Sequence, residues 1–330
     1  DLTAFFFAQN FQIPDTTLGF FMALWLLNLV KFLKQDLSYK SMLLSTLFLG
    51  LAMWTKMAVY LLWVPLGLFL LLFLWREARL NLYKKIRIFG IFAAIIFVFF
   101  GGWKIRNHVT TGYGTFAANI STALQWNISH LIAYQQGISR AEGQDILTRR
   151  YFPEETLRLG EGDLNRYAAK QLMPILLNSP VSYTVVVLKA MPGMFLGTFP
   201  PYMLFSKTTA DEVRQRVTEA RGNRALLTEF WEEGRIGYVL TYIAAKLHLL
   251  LMYGASVVAA VLFLRKIELR WMLTIMALTV AYTVAVSGAA AQARYRTIIF
   301  PIFYVLAGYG VAYLWEFDNK KLHYARSHTS

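Results

Sequence analysis

Ile88-Phe89-Gly90-Ile91-Phe92-Ala93-Ala94-Ile95-Ile96-Phe97-Val98-Phe99-Phe100-Gly101-Gly102-Trp103 runs without a charged or amide side chain. A helix crossing the hydrocarbon core of a bilayer needs about 20 mostly apolar residues, within a range of about 17–25. The stretch nears that length, and basic residues bracket it: Lys84, Lys85 and Arg87 before, Lys104 and Arg106 after. Their long stems let such residues reach the headgroups from a buried position. The pattern predicts a membrane-spanning helix.

Working outward, similar runs recur at Thr17–Leu33, Ala58–Trp75, Tyr238–Leu264, Trp271–Ser287 and Ile298–Trp315. Met42–Trp54 is short, but Tyr39, Lys40 and Lys56 flank it, and Leu2–Phe11 reads as the tail of a further span. The expected fold is an all-α polytopic membrane protein with about eight spanning helices. The ten-residue alternation of an outer-membrane barrel is absent from the sequence. With 57% hydrophobic residues the composition agrees. Beginning at Asp1 inside an apolar segment, the chain reads as a fragment without its N-terminus. Cysteine is absent, which excludes disulfides, thiol chemistry and Cys-based metal sites. The net charge of +14 raises the question of nucleic acid, but the basic residues cluster in short loops between spans, as cytoplasmic loops require.

Those loops set an orientation. Lys31–Lys40, Arg76–Arg87, Arg265–Arg270 and the tail after Trp315 are rich in Lys and Arg, and the positive-inside rule places all four in the cytoplasm. Four regions follow: a transmembrane region 1–103, an extracytoplasmic segment 104–237, C-terminal spans 238–316 and a basic cytoplasmic tail 317–330. The parity holds if Val181–Phe199 does not cross. Lys189, Pro192 and Gly193 interrupt that run, and Asn178-Ser179-Pro180 opens it, so a kinked interfacial or re-entrant helix is expected. Within the outer segment, Leu164–Leu177 reads as an amphipathic helix and Asp211–Phe230 as a charge-dense one.

The same parity gathers Asp15, Lys56, Lys104, Arg106, Asn107, Arg294, Tyr295 and Arg296 on the outer face. Those cations are the ones the inside rule does not explain. Each has a plain reading beside a functional one. Asp15, after Pro14, caps a helix start or lines the rim of a cavity. Lys56 snorkels to headgroups or meets a lipid phosphate as a point charge. Trp103-Lys104-Ile105-Arg106-Asn107 is an interfacial anchor or part of the same cavity. Arg294-Tyr295-Arg296 anchors a helix or presents a planar guanidinium fork to phosphate. Neighbouring helical residues point about 100° apart, so one of the two arginines faces the cavity. His108, His130 and His248 form no metal-ligand spacing, and no metal site is expected. Asn119-Ile120-Ser121 and Asn127-Ile128-Ser129 match the glycosylation sequon, a tripeptide common by chance and given no weight.

In order along the chain, four motifs resemble the family 39-type integral-membrane glycosyltransferases of GT-C architecture, which include protein O-mannosyltransferases and aminoarabinose transferases. They are Pro14-Asp15 opening a span, Gly50-Leu51-Ala52-Met53-Trp54-Thr55-Lys56, Trp103 to Asn107, and Ala293-Arg294-Tyr295-Arg296 with Pro301. The resemblance implies a multi-pass membrane enzyme, in a bacterial inner membrane, with its active face outside the cytoplasm. It implies a polyprenyl-phosphate-linked sugar as donor and a glycan, lipid or protein as acceptor. Lys56, Arg294 and Arg296 would hold the donor phosphate, and Asp15, Arg106, Asn107 and Tyr295 would line the cavity. The family's catalytic carboxylate would lie upstream of Asp1, and Asp15 does not replace it. Two other classes stay open: a lipid-linked glycan flippase or transporter, and a ligase or polymerase of the O-antigen type. A transporter would carry polar residues deep in several spans.

Overall fold

The computed structural model describes residues 13–34, 37–112, 120–196, 236–290 and 295–328. The expectations for Leu2–Phe11, Asp211–Phe230, Arg294 and the Asn119 sequon lie outside these. In the described residues every regular element is helical. In chain order they are α1 (Ile13–Lys34), α2 (Tyr39–Thr55), α3 (Trp63–Arg76), α4 (Leu82–Thr111), α5 (Ile120–Gln136), α6 (Arg140–Tyr151), α7 (Glu161–Asn178), α8 (Pro180–Leu196), α9 (Ile236–Arg265), α10 (Ile267–Ser287) and α11 (Arg296–His328). Short 3-10 turns occupy Met57–Val59, Glu154–Arg158 and Gly288–Ala290.

Among the described residues, five helical segments are long and apolar enough to cross a membrane, Thr17–Lys34, Leu82–Thr110, Ile243–Arg265, Leu269–Ser287 and Ile298–Trp315, and a sixth span arises if the bent pair Gly162–Asn178 and Pro180–Leu196 counts as one. The chain is a multi-pass helical membrane protein. The expected span Ala58–Trp75 is divided. Its first residues form the 3-10 turn and a further bend, and α3 keeps 14 residues. Pro65 causes no break, because it lies in the first turn of α3, where its missing N–H has no intrahelical acceptor. By contrast, α4 extends beyond its apolar centre at both ends. Asn81 accepts a hydrogen bond from Lys84 N–H as its N-cap, and Gly112, at φ 74°, closes it in the left-handed region.

The chain forms two compact units, 1–194 with 263–302, and 195–262 with 303–330. In the first, α1 packs on α2, α2 on α4, α4 on α3 and α3 on α10. In lipid the hydrophobic effect gives little drive for helices to associate, so close packing and a few polar contacts must hold them. Gly50 of α2 lies against the Phe99 ring of α4. One turn on, Trp54 meets that ring edge-on at 5.0 Å, and its indole N–H donates to the Phe99 carbonyl at 2.9 Å. Of the buried hydroxyls, Thr46 donates to Met42 O, Thr279 to Ile275 O and Thr283 to Thr279 O on their own helices, whereas Ser45 of α2 donates to Trp25 O of α1 at 3.3 Å.

The two ends of this bundle differ. At one end the Arg87 guanidinium lies 4.6 Å over the Tyr39 ring, Lys85 donates to Trp75 O, and Trp271 packs edge-on against Phe69 and Phe73. The starts of α2, α4 and α10 thus share an end with the close of α3, as the loop charges predict. The opposite end gathers the C-terminal turns of α2, α4 and α10 with the start of α3.

Helices α5 to α8 belong to the same unit. Gly137 (φ 67°) ends α5 with Ile138 N–H bonded back to Ala133 O, and a reciprocal Ser139–Glu142 capping box starts α6. Leu124, Ile128, Leu147, Phe152, Ala168 and Leu172 form the core shared by α5, α6 and α7. The amphipathic helix expected at Leu164–Leu177 is α7. Between α7 and α8 the chain turns by 93°. Tyr183 and Met194 are eleven residues apart on α8, about 16 Å along a helix. Yet Tyr183 reaches Gly288, and Met194 Sδ lies 3.5 Å from Ser287 Oγ. Helix α8 therefore runs across the end of α10, not alongside it.

In the second unit, Gly310 lets α11 approach the Ala255 carbonyl of α9, and Ser256 Oγ donates to Phe303 O at 3.0 Å. Tyr253 packs edge-on against Phe303 at 4.9 Å and donates to Phe195 O. Lys246 donates to Leu196 O.

Candidate functional site

The site is built where α2 turns into α3. Thr55 ends α2 by donating its hydroxyl to Ala52 O, and Lys56 caps it with extended backbone while its N–H also bonds Ala52 O. Val59 N–H then returns to Lys56 O, closing the 3-10 turn. The turn is held from two sides. Tyr60 stacks on Phe100 of α4 at 4.8 Å and donates to its carbonyl, and the Tyr282 hydroxyl of α10 accepts from Leu61 N–H at 3.0 Å. These contacts fix the backbone that carries Lys56.

The Lys56 ammonium lies 5.6 Å from the centre of the Tyr295 ring. Arg296, the first residue of α11, is 5% exposed, and its guanidinium lies 5.3 Å over the Phe300 ring, one turn along. The structure thus brings Lys56 to Tyr295, far along the chain, with Arg296 the next residue after it. A cation over an aromatic face gains about 0.5–1 kcal/mol when exposed and about 2 kcal/mol or more when desolvated.

Other residues named from sequence divide. Trp103 and Lys104 stand at the same end of α4: a methyl group on Gly102 would lie 3.5 Å from the Trp54 ring, and Lys104 lies 5.1 Å over Phe100. Arg106 is exposed, its guanidinium 5.0 Å over Trp103 of its own helix, and Asn107 is half-buried. They extend α4 past the turn that meets Lys56. Asp15 lies in the first turn of α1, and its side chain is outside the described residues, as is all of Arg294. Among the described residues no three His, Asp or Glu side chains come together to hold a metal ion.

One polar group at this end was missed from sequence. Asn127 of α5, set aside as part of a chance tripeptide, places its side-chain oxygen between two donors: Ala289 N–H at 2.7 Å and the Tyr183 hydroxyl at 3.1 Å. Its amide N–H donates to Ala123 O at 2.8 Å. Nothing in the sequence sets it apart, because Gln125, Ser129 and His130 are polar neighbours on the same helix.

Farther out, Arg140 lies 3.2 Å over Trp126, and His130 sits 6.0 Å from that indole. Burial, and secondarily the Arg140 charge, hold the His130 imidazole below its usual pKa. An apolar cavity lined by Trp25, Phe32, Met42, Leu49, Phe69 and Phe92 lies within the bundle. It has no charged side chain in its lining.

Fold and site together define a class: a multi-pass helical membrane protein with a cationic and aromatic cluster at one end of its bundle. No protein family, curated protein or solved structure matches the chain.

Proposed function

We propose that the protein is a membrane glycosyltransferase that moves a sugar from a polyprenyl-phosphate donor to an acceptor at the outer membrane face, within a GT-C-like bundle. The observation that carries this reading is the Lys56 ammonium over Tyr295 beside the buried Arg296. It joins two of the motifs on which the family resemblance rests. When the glycosidic bond breaks, negative charge grows on the departing lipid phosphate, and fixed cations stabilise that charge more in the transition state than in the ground state. Two unit charges about 4 Å apart interact by about 4 kcal/mol at an effective dielectric near 20. Lys56 acts as a point charge and Arg296 as a fork, with Arg294 included on sequence grounds alone. Asp15, Arg106 and Asn107 belong to the rim. The outer-face assignment draws its support from the basic residues gathered at the far end of the bundle and from α8 lying across the near one.

Transport has less support. Asn28, Thr279 and Thr283 are buried polar groups in the spans, and they bond to carbonyls of their own helices.

The test is sugar transfer from a radiolabelled polyprenyl-phosphate sugar pool, using the full-length protein in membranes. Arg296→Met and Lys56→Met should each lower turnover by about 10²-fold, the effect of removing one preorganised donor to a developing oxyanion. Unchanged turnover in both rejects the phosphate role.

A further inference from the structure

We infer that Asn127 is a positioning residue for the Tyr295–Arg296 segment, holding it through the 288–290 turn. The inference rests on the reading above only where it concerns lipid phosphate.

The turn itself is under-determined by its own sequence. Gly288 adopts φ 55° and ψ −147°, a region open to glycine alone. A Gly-Ala-Ala stretch has no side chain able to fix its course. What fixes it comes from two other helices. The Asn127 oxygen accepts from Ala289 N–H and from the Tyr183 hydroxyl, tying α5, α8 and the turn at one atom. Leu131, Val186 and Ala289 form an apolar cluster beside the junction, so the Ala289 methyl is itself packed against α5 and α8. Gly288 lies so close to Asn127 and Tyr183 that a methyl group would overlap both.

Six residues separate Ala289 from Arg296. The preceding helix is equally anchored, since Tyr282 of α10 holds Leu61 of the Lys56 turn. The Asn127 oxygen thus sets where the chain leaves α10, at the turn that precedes the Tyr295–Arg296 segment in sequence. Because α8 supplies the second donor, displacement of α8 by an arriving acceptor would be felt at the cationic cluster.

Three variants of the full chain test this. Asn127→Leu removes the acceptor at similar size. Asn127→Asp keeps an oxygen for both donors. Tyr183→Phe removes one donor and leaves the Ala289 bond, so it remains informative if Asn127→Leu does not fold. The first readout is amide hydrogen exchange without lipid, compared for peptides covering 288–290 and 295–297. The second is binding of a synthetic polyprenyl phosphate in detergent. Asn127→Leu should speed exchange in both peptides and weaken binding about fivefold, roughly one hydrogen bond. Tyr183→Phe should do so by a smaller factor, and Asn127→Asp should restore both. Faster exchange confined to 288–290, or unchanged exchange in the Leu and Phe variants, overturns the positioning role. Binding that is absent in the wild type, or indifferent to Lys56→Met and Arg296→Met, defeats the phosphate reading instead, and the exchange result still decides the role of Asn127.

Discussion

The ammonium of Lys56 stands 5.6 Å from the centre of the Tyr295 ring. Lys56 ends the second helix and Tyr295 precedes the last, so the contact closes the bundle at one end. The turn that carries Lys56 is held by Tyr282 of α10 and by the Tyr60 bond to α4, so its side of the contact is a property of the fold. In a chain without cysteine it is directly testable. Lys56→Cys with Tyr295→Cys should cross-link with a short bismaleimide, and Lys85→Cys with Tyr295→Cys, drawn from opposite ends, should not. Equal yields from the two pairs would contradict the arrangement.

Glycine replacements should separate by environment. Gly288→Ala meets Asn127 and Tyr183 and forces an L residue into positive φ, a cost of about 1–3 kcal/mol from the backbone alone. Gly90 and Gly254 are helical and have open space around a Cβ. Their Ala variants should be neutral or gain up to about 1 kcal/mol. Thermal unfolding in detergent checks the order. A Gly288→Ala protein as stable as Gly90→Ala would refute the described turn.

The α2–α4 contact predicts a suppressor pair. Gly50→Ala should destabilise, because its methyl meets the Phe99 ring. Phe99→Ala should destabilise by about 3–5 kcal/mol through the cavity it leaves. In the double variant the added methyl has room, so the combined loss should be smaller than the sum. Strict additivity would mean that the two residues do not touch.

His130 gives a pH signature. Burial holds its folded pKa below the usual value, so the folded state keeps the imidazole neutral. Below about pH 6.5, the unfolded value, the unfolded chain binds the extra proton. Stability is therefore complete above that pH and is lost as pH falls toward the folded pKa. Hydrogen exchange in α5, corrected for intrinsic rates, should rise on acidification from neutral pH, and His130→Gln should blunt the rise. A wild-type profile flat between pH 7 and 5 would contradict it.

Much of this architecture was legible in the chain. The apolar run at 88–103 identified α4, and the loop charges correctly paired the start of α4 with the end of α3. The same parity put Lys56 and Tyr295 at a common end. The 93° turn between α7 and α8 falls at Asn178-Ser179-Pro180, the helix-start signature read from the sequence. The division of Ala58–Trp75 was not legible, because the hydroxyl that holds Leu61 comes from Tyr282, far along the chain. Nor was Asn127, whose two donors lie on α8 and on a turn with almost no side chains. Periodicity reports which residues avoid water. It does not report which distant amide an oxygen will find.

The most direct test of the central claim compares a polyprenyl phosphate with the same prenol lacking the phosphate, measuring affinity for the purified full chain. The phosphate form should bind at least about tenfold more tightly, a difference near 1.4 kcal/mol. Lys56→Met with Arg296→Met should abolish that preference while leaving prenol binding intact. Equal affinity for both lipids in the wild type, or an undiminished preference in the double variant, would contradict the account.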